Sequence, residues 1–308
     1  MEQVRSSSSL TCGSVAQVRP SRRVFLRRIV TLVLFVLPWG YVGVIAGVAV
    51  HEVVGHGLTA LAVGGRFEGF ELEWYGMGWA SAYPAPGAPT WHESVVLLGG
   101  VAATVALGGL LLGLAALLPG LWLRTAGVIL GTCIVLDSAA YTFWSALHPG
   151  TQGDAARVVL LWDSSAVQWV LVVGGAVLTI GTTWISTSLL FRCVASYLVP
   201  GQDEVRAGRG ELSGLQRATI VVLFFVVPSV GAHYAFDWNQ LISGIGNLPA
   251  HANMGLVAIL SPLLFFSIRP WPNVEPRAPL IPVVLGWILA VAVGGIVEAW
   301  LSQGVSWS

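Results

Sequence analysis

Lysine is absent: all 15 basic residues are arginine, and charged residues make up only 10% of the 308-residue chain. Water-soluble domains carry roughly 25% charged residues, so this composition excludes an ordinary soluble fold. The missing lysine reads as compositional bias rather than chemistry. Fifteen acidic residues balance the arginines, the formal net charge is zero, and neither nucleic acid nor an acidic partner is implied. Cysteine is scarce as well. Cys12, Cys133 and Cys193 fit neither a metal-knuckle spacing nor a disulfide framework, and Cys133 and Cys193, in or beside apolar runs, are expected to pack. No sequence repeat stands out, and there is no inverted symmetry of the transporter kind.

What the chain does have is apolar length. Hydrophobic residues reach 55%, and several runs exceed the about 20 residues that cross a bilayer as helix. The fold class is therefore an all-α polytopic membrane protein, with about seven to eight transmembrane helices. Residues 1–23, rich in Ser and Arg, are expected to form a disordered cytoplasmic tail. Six arginines (Arg5, Arg19, Arg22, Arg23, Arg27, Arg28) precede the first apolar run, which places the N-terminus in the cytoplasm. That run is too long for a signal-peptide core and lacks a small-residue cleavage site. From Ile29 to Val63 it is also too long for one simple span. Pro38 and Gly40 suggest a kink or break, leaving one bent helix or two as alternatives.

Further spans are expected at about 91–118, 121–147, 166–190, 217–236, 250–268 and 279–301. The organisation is then a tail (1–23), a membrane core (24–198), a polar loop (199–216) and additional transmembrane helices (217–308). Within the core, Val105–Gly113 carries small residues at helix-packing spacing. In residues 66–83, Phe70, Leu72 and Trp74 alternate with Glu71, Glu73 and Tyr75, and Gly76 and Gly78 offer a turn. This pattern predicts a short β-hairpin at the membrane surface. The polar segment 233–253 reads as an external loop or as a re-entrant one. Tryptophans near the span ends form the usual interfacial belt.

The chemistry concentrates in HEVVGHGLTALAVGG, His51–Gly65. An ionisable side chain within a membrane segment costs at least ~2.5–3.5 kcal/mol, so three together mark a candidate site. Two imidazoles and a carboxylate are also what holds a zinc ion and supplies a general base. The usual zinc-protease helix carries its histidines at i and i+4; here His51 and His56 are i and i+5. On a regular α-helix that spacing turns the rings about 140° apart. A local π-bulge, which lowers the twist per residue, would bring them to one side, and Gly55 is where the helix would most easily relax. Glu52 and His56 are themselves i and i+4, so a simple hydrogen-bonded pair is the bland alternative.

The literal pattern His-Glu-x-x-Gly-His is similar to that of the soluble zinc enzyme dipeptidyl peptidase III, which nothing else in the chain resembles. The wider resemblance is to the site-2 protease family of intramembrane zinc metalloproteases, in its shorter bacterial branch. There a segment like HELGHALAALLTGG precedes a surface hairpin, a Gly-rich helix and a Ser-Asp-Ala-Ala-Arg-like segment. Here HEVVGHGLTALAVGG is followed by the hairpin at 66–83, LLGGVAATVALGG at 97–109 and GDAARVVLLW at 153–162, so the resemblance covers roughly residues 40–190. It implies a bacterial inner-membrane protease acting on a membrane-protein or peptide substrate. By it, Zn2+ would be held by His51, His56 and Asp154, with Glu52 as the base. The chain departs from the family in the extra residue between the histidines, and in lacking Pro and Asn around Gly99–Gly100.

Other roles compete for these residues. Asp154 follows a Pro-Gly-Thr-Gln-Gly loop and would serve equally as a helix N-cap. Asp137, in Leu136-Asp137-Ser138, is the rival third ligand, and Asp154 is preferred over it. His92 and Glu93 are expected at the interface, and His148, before Pro149, at a helix end near the site. A non-catalytic protease-like scaffold that binds partner helices is the alternative function.

Overall fold

A computed structural model describes residues 22–74, 76–150, 153–198 and 280–306. The expected spans at 217–236 and 250–268, the loop 199–216, the segment 233–253 and nearly all of the tail lie outside the described residues. Within them, the chain is mostly helical. Five helices are long and apolar enough to cross a membrane, and a small three-stranded antiparallel sheet accompanies them.

The first apolar stretch resolves as one helix. It runs without interruption through 40 residues, Arg23–Ala62, as α1 (Arg22–Ala49), a π-helical stretch (Val50–Gly57) and α2 (Leu58–Ala62). Pro38 does not break it. Proline lacks the N–H that would bond the carbonyl four residues back, which here is Leu34. That carbonyl instead accepts from the Trp287 indole N–H at 3.0 Å. Trp287 belongs to α7 (Leu280–Ala299), and the return contact is Trp39 Nε1 donating to Pro282 O at 3.3 Å. A neighbouring helix thus satisfies the backbone group that proline leaves free, which hydrocarbon cannot do.

Around α1 stand α3 (Thr90–Leu117), α4 (Leu121–Leu147), the short α5 (Asp154–Trp162) and α6 (Ser165–Leu198). α4 is central and touches α1, α3, α5 and α6. At its crossing with α3, a Cβ on Gly108 would lie 3.1 Å from the Gly131 carbonyl, and one on Gly131 would lie 3.0 Å from that of Gly108. Small residues here let two backbones approach, as the Val105–Gly113 pattern suggested. Leu32, Val128, Val194 and Leu198 form a buried cluster near the start of α1. Beside it Arg28 donates to the Tyr197 and Leu198 carbonyls at 3.2 and 3.4 Å, capping the end of α6. Cys193 belongs to the same cluster, and Cys133 packs against Gly43 of α1.

The hairpin of residues 66–83 is present as β1 (Arg66–Leu72) and β2 (Gly78–Tyr83), with Phe70 opposite Ala80. A register shift between Phe67 and Gly69 marks an irregularity ahead of the alternating residues, and pairing is regular from Gly69 to Leu72. A third strand, β3 (Val305–Ser306), pairs antiparallel with the other edge of β1, giving the order β2-β1-β3. Leu72 packs with Ile45 and Val297, seating the sheet on α1 and α7.

Replacing Trp287 by Phe keeps the ring packing but orphans the Leu34 carbonyl, at a cost of about 1–3 kcal/mol. The expected result is a lower thermal midpoint for the detergent-solubilised protein, measured by differential scanning fluorimetry. An unchanged midpoint would show that the indole contributes nothing to passing Pro38.

Candidate metal centre

The site begins with the twist of one helix. Residues Val50–Gly57 are π-helical, so the five-residue step from His51 to His56 no longer separates the rings as an α-helix would. Their centroids stand 4.8 Å apart, edge to face. At the return to α-geometry, the Leu58 N–H reaches the Val53 and Gly55 carbonyls. The Thr59 hydroxyl adds bonds to Gly55 O at 2.6 Å and His56 O at 3.2 Å.

Gly55 has a different job from the flexibility its sequence position suggested. A Cβ there would lie 2.7 Å from the Gly100 nitrogen and 2.8 Å from the Gly99 carbonyl of α3. Gly100 in turn leaves room for His51, whose Nε2 would lie 2.5 Å from a Cβ at that position. The Gly99–Gly100 pair therefore lets α3 press onto the motif helix and gives the first imidazole its space.

Three side chains converge. His51 Nε2 lies 3.0 Å from Asp154 Oδ2, and His56 Nε2 lies 3.4 Å from the same oxygen. One ligand atom from each residue falls within 4.8 Å of the others, and the group could hold a metal ion. His51, Glu52 and His56 are only 9%, 9% and 7% exposed. Each ring is fixed from behind. His56 Nδ1 donates to the Val96 carbonyl at 2.8 Å, which puts its hydrogen on that nitrogen, and His51 Nδ1 meets Ser138 Oγ at 3.1 Å. Partners of this kind set the tautomer and orientation of a metal-binding imidazole.

Asp154 is the first residue of α5, after Gly153, so it stands inside the helix rather than at its N-cap. Burial opposes its ionisation, but contacts with the two imidazoles outweigh burial and hold the carboxyl below the ordinary carboxylate range. α5 is fastened to α3 by Trp162 Nε1 donating to Ser94 Oγ at 2.8 Å and by Arg157 with Glu93 at 3.3 Å.

Glu52 lies beside this group, its Oε2 3.9 Å from His56 Nε2, too far for the simple hydrogen-bonded pair. Asp137 lies on α4, but its side chain is outside the described residues; the neighbouring Ser138 is what reaches His51. Glu93 is taken up by Arg157, His92 by the Trp91 ring at 3.9 Å, and His148 stacks on Trp144 at 5.4 Å. Sequence reasoning missed the Ser138 and Val96 supports. Ser138 had a signal, a hydroxyl beside an aspartate in an apolar run. A backbone carbonyl such as that of Val96 leaves no trace in residue types.

The supports have a measurable consequence. If the group holds zinc, Ser138→Ala should weaken that binding about 10–100-fold in a titration of the purified protein. Gly100→Ala, which pushes its methyl into the His51 ring, should weaken it at least as much, and His51→Ala should abolish it. Equal affinity in Ser138→Ala and wild type would remove Ser138 from the account.

Compared with protein-family models, curated proteins and solved structures, the chain matches none of them.

Proposed function

We propose that the chain is a zinc metalloprotease of the bacterial inner membrane that hydrolyses peptide bonds in or next to the bilayer. The observation carrying this reading is the convergence of two imidazole nitrogens and one carboxylate oxygen, with a second carboxylate beside them. Two histidines and an acid are the donor set of zinc sites that keep a position open for water. The geometry also fits a cation. His56 Nδ1 already carries its hydrogen, so a neutral ring presents a lone pair to Asp154 Oδ2 at 3.4 Å. Two acceptors at that distance repel unless a cation or a proton lies between them.

Bound there, zinc would polarise the scissile carbonyl and lower the pKa of its water. The chain's own groups do the rest. Glu52 takes a proton from the attacking water and returns it to the leaving amine. Ser138 and Val96 keep the imidazoles aimed, and the apolar packing around the motif excludes bulk water. The outer edge of β2 offers an extended substrate a strand to pair with. The N-terminal tail would lie in the cytoplasm.

A second reading has one observation in its favour. With an added proton on His56, His51, Asp154 and His56 form a closed polar set that needs no ion, as a non-catalytic scaffold would require.

Glu52→Gln separates the two. If the protease reading holds, the variant binds zinc like the wild type but cleaves a model transmembrane peptide about 10²–10⁴-fold more slowly. Full cleavage by Glu52→Gln would overturn the role of this base. Protein that stays folded, takes up no zinc and cleaves nothing would favour the scaffold.

A further inference from the structure

Hydroxyls in this bundle mostly fold back onto their own helices. Thr125, Thr142, Thr179 and Thr182 each donate to the carbonyl four residues before, at 2.6–2.8 Å. That bond is a common way to bury a threonine in a helix. Three hydroxyls depart from it. Those of Thr132 on α4 and of Thr183 and Ser186 on α6 are buried, yet have no hydrogen-bond partner among the described residues. Thr183 and Ser186 are only 0% and 2% exposed. A buried hydroxyl without a partner costs free energy, and hydrocarbon offers it none.

The three lie together. α4 and α6 run antiparallel, and contacts along their length fix the register. Gln168 donates to Ala146 O at 3.1 Å, a Cβ on Gly175 would lie 2.7 Å from the Phe143 nitrogen, and the Trp122 and Tyr197 rings meet at 4.7 Å. Thr132 lies eleven residues before Phe143, and Ser186 eleven residues after Gly175. Eleven residues make about three turns, so Thr132 and Ser186 face each other at one level, as Phe143 and Gly175 do. Thr183 stands three residues before Ser186, on the same side of α6. Towards one end the seam closes where Gly175 meets Phe143; towards the other, Val128, Phe191 and Val194 belong to an apolar cluster. Neither residues 132–136 nor residues 182–187 include a charged side chain, so a guest between these hydroxyls is small and neutral.

We propose that the α4–α6 seam is a binding site for ordered water, held between Thr132, Thr183 and Ser186. Water both donates and accepts, and a buried molecule makes about three hydrogen bonds, one for each hydroxyl here. The site lies within the span, about 9 Å along α4 from Ser138 at 1.5 Å per residue. It does not depend on the protease reading.

The test compares Thr132→Val, Thr183→Val, Ser186→Ala and the triple variant of the full chain in detergent, by differential scanning fluorimetry. If the hydroxyls share water, each single change leaves that water and the other two hydroxyls short of a partner. The thermal midpoint then falls by roughly 2–4 °C, the worth of one hydrogen bond. The triple variant falls by less than the three singles added together, because the shared guest can be lost only once. Dry hydroxyls behave in the opposite way: each substitution removes an unsatisfied group, and a raised or unchanged midpoint overturns the proposal. A second measurement needs no variant and decides the matter where one fails to fold. An experimental structure of the wild type that resolves ordered water should show a molecule within hydrogen-bond distance of Ser186 Oγ and of a threonine hydroxyl across or beside it. Hydroxyls turned back onto their own carbonyls, with no water between the helices, would overturn the proposal whatever the midpoints do.

Discussion

Two imidazoles five residues apart can face one point only if the helix between them turns less than an α-helix does. The π-helical stretch Val50–Gly57 meets this constraint, and much of the rest is arranged to hold it. Thr59 bonds carbonyls at its end, Gly99 and Gly100 let α3 close on it, and Val96 and Ser138 grip the two rings. A π-helical turn is rare in an unsupported helix. Here it is enclosed by α3 and α4 and by the sheet, so reverting to α-geometry would swing one imidazole out of a buried position and strand its partner group.

The parts legible in the sequence are those encoded by residue type at short range. Apolar length marks the spans, alternation and paired glycines mark the hairpin, and the polar triplet in an apolar run marks the site. The five-residue spacing even states the distortion it needs. What was not legible depends on partners far along the chain. Nothing in Leu34 or Pro38 announces Trp287, which is 253 residues from the carbonyl it serves. Val305 and Ser306 are too few to read as a strand until β1 lies beside them. Gly55 looked like a flexible point because its partner, Gly100, was not yet next to it.

The arrangement also separates two ends of the bundle. Arg28 caps α6 at one end, while His51 lies 23 residues further along the same helix, about 35 Å at 1.5 Å per residue. That is close to the ~30 Å thickness of a hydrocarbon core. The polar cluster and the arginine-bearing end are therefore separated along the helix by about that thickness, and the helix runs on from His51 to Ala62. Between them the chain keeps hydroxyls off the lipid-facing surface by bonding them to their own helices, as Thr125, Thr142 and Thr179 do with carbonyls four residues back. Large apolar side chains such as Leu110, Val170 and Val177 are turned outward, as a hydrocarbon solvent favours.

β3 bears on how copies of this chain treat one another. A sheet with two bare edges is a template for open-ended stacking, and proteins protect such edges. Here Val305 and Ser306 cover one edge of β1, and the other side of the sheet, at β2, lies against the motif helix. Two copies cannot join edge to edge into a growing ribbon, because each has a single strand to offer and a helix crowds the approach.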